Sequence, residues 1–397
     1  FDINVKHLLV DHSKIKYSNN RNTHRYTDKG SINFNSLDLS EFDFEAREIH
    51  FNNFYEGMFR IEHAGFQEKS GFQLERMVVD HVEFSNKEID LKDVIVQSNG
   101  SLIKNQINLS FDGYRSFLDF NNEVYLQSSF SNCSIRTAEL FYFAPQLAHN
   151  DFFRDNANKN ISLNGRFYGK INNLKGNDID LVFGERTKVI GSFSSRNLTI
   201  PGEELMNIRL ESLTSNTYTL DKLLPGTHFS KSAHTLGELK FTGSFDGYFH
   251  DFVAYGDLRT QLGSMNMDMR LNFSSGISES EFSGNFDLKN FQLGRMLDNQ
   301  DIGQIDLSTK IRDGHGLSIN TLRADVDAKI HSLGYKGHTY KNFIMDGYLE
   351  KNLFNGNFSI YEEFIKFNLS GLIDYGDSIP KYNFDAHISH LDLANLN

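Results

Sequence analysis

Met265-Asn266-Met267-Asp268-Met269-Arg270-Leu271-Asn272-Phe273 decides the fold class of this chain. Large apolar residues alternate with polar ones without a break. In an extended strand, that spacing puts Met265, Met267, Met269, Leu271 and Phe273 on one face and the polar residues on the other. The same period extends in both directions. Upstream, Leu239, Phe241 and Phe245 alternate across Gly243, followed by Phe252, Leu258 and Leu262. Downstream come Phe286 and Leu288, then Ile305, Leu307 and Ile311, then Phe358 and Ile360. Ile365, Phe367 and Leu369, and then Phe384 and Ile388, close the series. These residues are the candidate lining of one continuous apolar face. Breaks such as Asn352-Leu353-Phe354-Asn355-Gly356 and Asp313-Gly314-His315-Gly316 read as hairpin turns. The pattern yields about twenty-five strand candidates. Helical patterning is short and rare: Thr137 to Phe143, Tyr218 to Leu224, Leu293 to Leu297, and the last five residues.

Composition agrees with alternation. The 397 residues include 36 Phe and 16 Tyr but no Trp, four Pro and one Cys, at a net charge of −12. One Cys excludes an internal disulfide framework and a Cys-based zinc cluster. The acidic balance argues against a nucleic-acid surface, which needs clustered Lys and Arg. No stretch approaches the ~18 consecutive apolar residues of a membrane-spanning helix. The chain opens inside an alternating segment, Phe1-Asp2-Ile3-Asn4-Val5, and is expected to be a piece of a longer protein whose targeting or anchoring segments lie elsewhere.

An apolar sheet face of this extent must close as a barrel, pack as a sandwich, or curl into a trough filled by something apolar. A membrane barrel fits poorly, because the aromatics are not grouped at strand ends and short helices interrupt the strands. A sandwich makes the same residues ordinary core. In a trough, about twenty-five strands at ~4.8 Å each make a ribbon of roughly 120 Å. The expected fold is therefore all-β, a long, curved, mainly antiparallel sheet forming an elongated open groove with a few short helices. Groove segments are expected over residues 1–150 (ending in a short helix), 151–230, 231–300 and 301–397, all within one continuous elongated structure. The last two are repeats: Phe282 to Leu288 followed by Phe291 to Leu297 matches Tyr382 to Ile388 followed by Leu391 to Leu396, each a strand running into a short helix.

The run from Ile330 to Phe343, followed by Asp346-Gly347-Tyr348-Leu349, Phe354 to Ile360 and Phe367-Asn368-Leu369-Ser370-Gly371, resembles the AsmA-like and TamB proteins of Gram-negative envelopes in their Bacteroidota form. The upstream strands closed by Leu140-Phe141-Tyr142-Phe143-Ala144-Pro145 are similar to the same proteins. The likeness covers most of the chain, as a texture of alternation rather than a set of catalytic residues. It implies an internal periplasmic segment of an inner-membrane-anchored protein. That protein would carry phospholipids between the membranes through a β-sheet groove and serve outer-membrane biogenesis. It further implies an Omp85-type outer-membrane barrel (TamA- or TamL-like) as partner, contacted by parts outside this segment. The alternative is a periplasmic scaffold or chaperone for outer-membrane barrel assembly, offering sheet edges to client strands.

Catalytic chemistry is not expected, and neither a cofactor nor a resident metal. No Gly-x-Ser-x-Gly is present. His387 and His390, three apart, are expected on opposite strand faces, which is no metal pair. Asp298 to Gly303 lacks the alternating oxygen ligands and closing Glu of a calcium loop. Cys133 reads as a small buried residue. An enzyme on a β-solenoid would need paired acids and repeats of ~20–25 residues, which the sequence lacks. Asp377-Ser378-Ile379 resembles a Bacteroidota periplasmic O-glycosylation acceptor, with Ser378 the modified residue.

Overall fold

The computed structural model describes residues 2–18, 30–184, 186–223, 231–276, 278–316, 321–376 and 379–392. Among the described residues the fold is all-β and open, with 21 strands and a few short helices. Every strand pairing among the described residues for which a register is defined is antiparallel and joins strands consecutive in sequence. The chain divides into two compact units, Phe1–Leu205 and Met206–Asn397.

The first unit contains β1 (Ile3–Ser18), β2 (Ser36–Asn53), β3 (Glu56–Glu68), β4 (Gln73–Phe84) and β5 (Glu88–Ser98). It continues with β6 (Ser101–Ser110), β7 (Tyr125–Arg136), β8 (Asn160–Gly169), β9 (Lys175–Phe183) and β10 (Thr187–Arg196). Among the described residues three short α-helices interrupt it, α1 (Phe120–Glu123), α2 (Thr137–Phe143) and α3 (Asp151–Asp155), together with 3-10 turns such as Tyr114–Asp119. Aromatic side chains from these inserts close over strand ends. Phe72 meets Tyr142 and Phe143 edge-on at 5.6 and 5.3 Å between ring centres, and Phe152 lies 4.4 Å from Phe183. At the other strand ends, Phe111 meets Phe117 at 4.8 Å. Such ring pairs contribute about 0.5–1.5 kcal/mol beyond the area they bury.

In the second unit, β11 (Leu205–Asn216) leads through α4 (Thr217–Leu223) and α5 (Lys231–His234) to β12 (Glu238–Tyr248), β13 (Asp251–Arg259) and β14 (Ser264–Asn272). Then follow β15 (Glu281–Phe291), α6 (Leu293–Leu297), β16 (Ile302–His315), β17 (Arg323–Tyr335) and β18 (His338–Glu350). The unit ends in β19 (Leu353–Tyr361), β20 (Ile365–Asp374) and β21 (Lys381–Leu391). Helix α6 covers one margin, where Leu293 and Met296 pack on the buried Leu262, Leu288, Phe291 and Ile305. Among the described residues no strand register joins β1 to β10 or β12 to β21, so neither run of strands closes into a barrel. All residues of β21 are exposed, including Phe384 at 40% and Ile388 at 55%.

Three of the short helices fall where their patterns predict them: α2 and α6 have the expected limits, and α4 starts one residue earlier, whereas α1, α3 and α5 were not expected. The last five residues and Ser378 lie outside the described residues. So does the helix expected after the second repeat, whose strand is β21. Two expected turns are not turns. Asn355 and Gly356 lie inside β19, and the chain reverses at Lys351-Asn352. Asp313-Gly314-His315 ends β16 as a bulge, with Asp313 at φ 46° and Gly314 opposite Phe282. Asn-Gly and Asp-Gly signal local departure from the pleat, which a bulge satisfies as well as a turn. The same ambiguity accounts for 21 strands where the pattern yields more, because bulges break the period without ending the strand.

Candidate functional site

The candidate site is the apolar face of the second unit, and strand register builds it. Opposed residues of neighbouring strands share a face. One row begins Phe241–Leu258–Met265–Leu288–Leu307. It continues through Ile330–Phe343–Ile360–Phe367–Ile388, so it crosses all ten strands from β12 to β21 without a polar residue. Two residues further along the strands, Met267, Phe286, Thr309, Ala328, Met345, Phe358 and Leu369 form a second row. A third contains Phe245, Ala254, Met269, Gly284, Ile311 and Val326, then Gly347, Gly356, Gly371 and Phe384. Phe252, Leu271 and Phe282 start a fourth.

The predicted residues are thereby sorted. Eighteen of them fall in these four rows. Leu239 and Leu262 are buried at the margin, and Leu262, 1% exposed, belongs with Ile305 to the cluster beneath α6. Phe273 follows β14 and meets Phe252 at 6.1 Å, while Ile365 opposes Leu391 at the start of β20. Most row residues are half-buried: Met265, Met267, Phe286, Leu307, Ile311, Phe358 and Phe367 are neither sealed nor fully exposed.

Alternation in single strands missed members that only pairing reveals. Ile330, Phe343, Ala328, Met345 and Val326 sit in the rows but belong to strands whose apolar positions are small or interrupted. The first unit, expected as groove but without a residue in the candidate lining, has its own apolar rows. One runs Phe59–Val82–Leu91–Ile107–Ser128–Phe167–Gly176–Phe193. There, Phe rings lean over glycines. A β-carbon on Gly176 would lie 2.5 Å from the Phe193 ring, and one on Gly57 2.9 Å from Phe51. Phe51 and Phe84, two strands apart across Gly57, approach to 5.9 Å. This face also carries buried polar groups. Asn105 Oδ1 accepts from the Ser128 hydroxyl and the Ser129 N–H, both at 3.0 Å, and the Ser98 hydroxyl donates to Glu139.

The outer, polar face is laced by exposed ion pairs, such as Arg270 with Asp251 at 3.0 Å. The Arg270 hydrogen bond holds the Asp251 carboxyl below the usual carboxylate range. Cys133 is buried, and its thiol donates to the Lys104 carbonyl at 3.2 Å. His387 and His390 correct their expectation. A register shift in β21 sets His387 opposite Asn368 and His390 opposite Lys366, so both lie on the polar face. Among the described residues, the grouping of potential metal ligands is elsewhere, at Asp11, His12 and Asp43. Asp43 is engaged there by the His12 backbone N–H at 2.8 Å, a structural role. The chain matches no family model, no curated protein and no solved structure.

Proposed function

We propose that the apolar face holds the acyl chains of phospholipids and passes them along the cross-strand rows. The protein is then a segment of a periplasmic, envelope-spanning conduit of the AsmA-like/TamB type that moves lipid between inner and outer membranes. The observation that carries this reading is the uninterrupted row from Phe241 to Ile388. Ten strands at ~4.8 Å place its ends about 43 Å apart, against about 15 Å for one leaflet of a ~30 Å hydrocarbon core. Each methylene that leaves water on such a face gains about 0.8 kcal/mol. Side chains of similar size and polarity along the row keep the barrier to sliding small, and thioethers such as Met265 and Met267 adapt to a changing hydrocarbon surface. Head groups stay in water. No catalytic group is required, and the Omp85-type partner belongs to other parts of the protein.

Phospholipid extracted from the purified chain and identified by mass spectrometry tests the reading. Met267→Lys with Phe358→Lys places two charges on half-buried row positions. Loss of about two methylene contacts, near 1.6 kcal/mol, lowers lipid occupancy roughly tenfold while the circular dichroism spectrum is retained. A wild-type chain free of lipid, or a folded double variant with undiminished lipid, overturns it. The exposed β21 favours a second reading, a scaffold that pairs with strands of outer-membrane barrel precursors. Crosslinks from β21 to such precursors, in a chain without bound lipid, would select that reading.

A further inference from the structure

The polar face of the first unit holds a recess of about 430 Å³ built on β5 to β9, in the range of small-molecule sites. Strand register shows what forms it. One cross-strand row runs Asp90–Asn108–Gln127–Tyr168. The adjacent row runs Gln106–Ser129–Arg166–Asn177. Bulges at Asp93, Asn132 and Asp178 border these rows, and the bends that bulges impose recess the face here.

The chemistry of the recess is specific. Its cations are already engaged: Lys92 pairs with Asp90 at 3.3 Å, and the Arg166 Nε–H donates to Asp178 at 2.8 Å. An anionic ligand would have to displace those carboxylates. Of the amides, Asn108 is engaged, donating to Glu88 at 2.6 Å and accepting from the Ser110 hydroxyl at 3.3 Å, whereas the two glutamines are uncommitted. Gln106 and Gln127 make no side-chain hydrogen bond among the described residues, so each offers both donors and an acceptor. Asn177 donates to the Tyr168 hydroxyl at 3.2 Å, fixing that ring, and the Lys175 ammonium lies 5.9 Å from its centre. Tyr125 is exposed at the rim and presents a free aromatic face. Planar amides that donate and accept, paired charges and an open aromatic ring are the requirements for a neutral polyhydroxylated ligand. Its hydroxyls bond the amides, and its C–H face packs on the ring. Four strands span about 15 Å, enough for a short oligosaccharide.

We propose that this recess binds a neutral glycan. The site lies on the face opposite the apolar rows and is independent of lipid carriage.

Titration calorimetry of the purified chain with maltoheptaose, cellohexaose, laminarihexaose and chitohexaose tests it. The expected result is saturable, salt-insensitive binding of at least one of these. Tyr125→Ala and Gln127→Ala each weaken that binding about five- to tenfold, whereas Tyr255→Ala, on an exposed position of the second unit, leaves it unchanged. Tyr125 and Gln127 are both exposed, so their truncation leaves the folded spectrum intact. The proposal is overturned if none of the four binds more tightly than about 1 mM, or if binding survives both substitutions. It also fails if dextran sulfate alone binds and added salt abolishes its binding.

Discussion

His12, Asn132 and Asn290 share one device. Each sits at a bulge with positive φ, at 45°, 53° and 51°. Each backbone N–H is received by a side-chain oxygen: Asp43 at 2.8 Å, Asn164 at 2.6 Å and Asp306 at 2.6 Å. A bulge takes an N–H out of the ladder, and the side chain restores its partner. Asp306 also accepts from the Ser332 hydroxyl at 2.6 Å and so ties β15, β16 and β17 together. These bonds, the Asn290 N–H first, hold its carboxyl below the usual carboxylate range. The folded value is thus lower than the unfolded one, near 3.9. The stabilisation is complete above that unfolded value and disappears as pH falls through the lower folded one. Asp306→Ala is expected to cost about 1–3 kcal/mol at pH 7 by urea unfolding. The gap to wild type should narrow toward about pH 3, and an undiminished gap there would refute the role. Nothing in the sequence distinguishes Asp306 from the other aspartates, because its partner lies sixteen residues away across a pairing that only register defines.

Strands and their faces were legible wherever alternation ran unbroken. Met265 to Phe273 gave β14 directly, and β12, β13 and β20 follow the same rule. The opening strands of the first unit were illegible as a face for a physical reason. In β2, register shifts against β3 change the parity of the strand, so Phe42, Phe44 and Ala46 do not share a single period with Ile49 and Phe51. The glycine row of the second unit tests how closely its strands are packed. A β-carbon on Gly356 would lie 2.3 Å from the Asp346 carbonyl oxygen and 2.5 Å from the Gly347 Cα. Gly356→Val should therefore destabilise the unit by about 1–3 kcal/mol. Asn357→Val, the next residue and on the polar face, should change it by about 0.5 kcal/mol or less. Equal midpoints of urea unfolding for the two variants would contradict the close approach.

At the scale of the molecule, alternation reconciles abundant Phe with an acidic, polar chain: each strand gives one face to Phe, Leu, Ile and Met and the other to Asn, Ser, Asp and Lys. All-β architecture was readable from that alone. The division at residues 205 and 206 was not, since the pattern of alternation continues on both sides of it. Within each unit a strand gains its ladder bonds from its immediate neighbours, so stability is expected to be graded. Amide exchange should be fastest in β21 and slow progressively toward β15 to β17, where Leu288, Phe291 and Ile305 are buried. Uniform protection across β12 to β21 would contradict nearest-neighbour stabilisation. The same dependence bears on how such a chain changes over generations. A duplicated hairpin meets only the strands beside it and leaves distant positions undisturbed, so the sheet can be lengthened in steps of two strands. The distance spanned by the apolar path then becomes a trait that selection adjusts by copying, without redesigning a core.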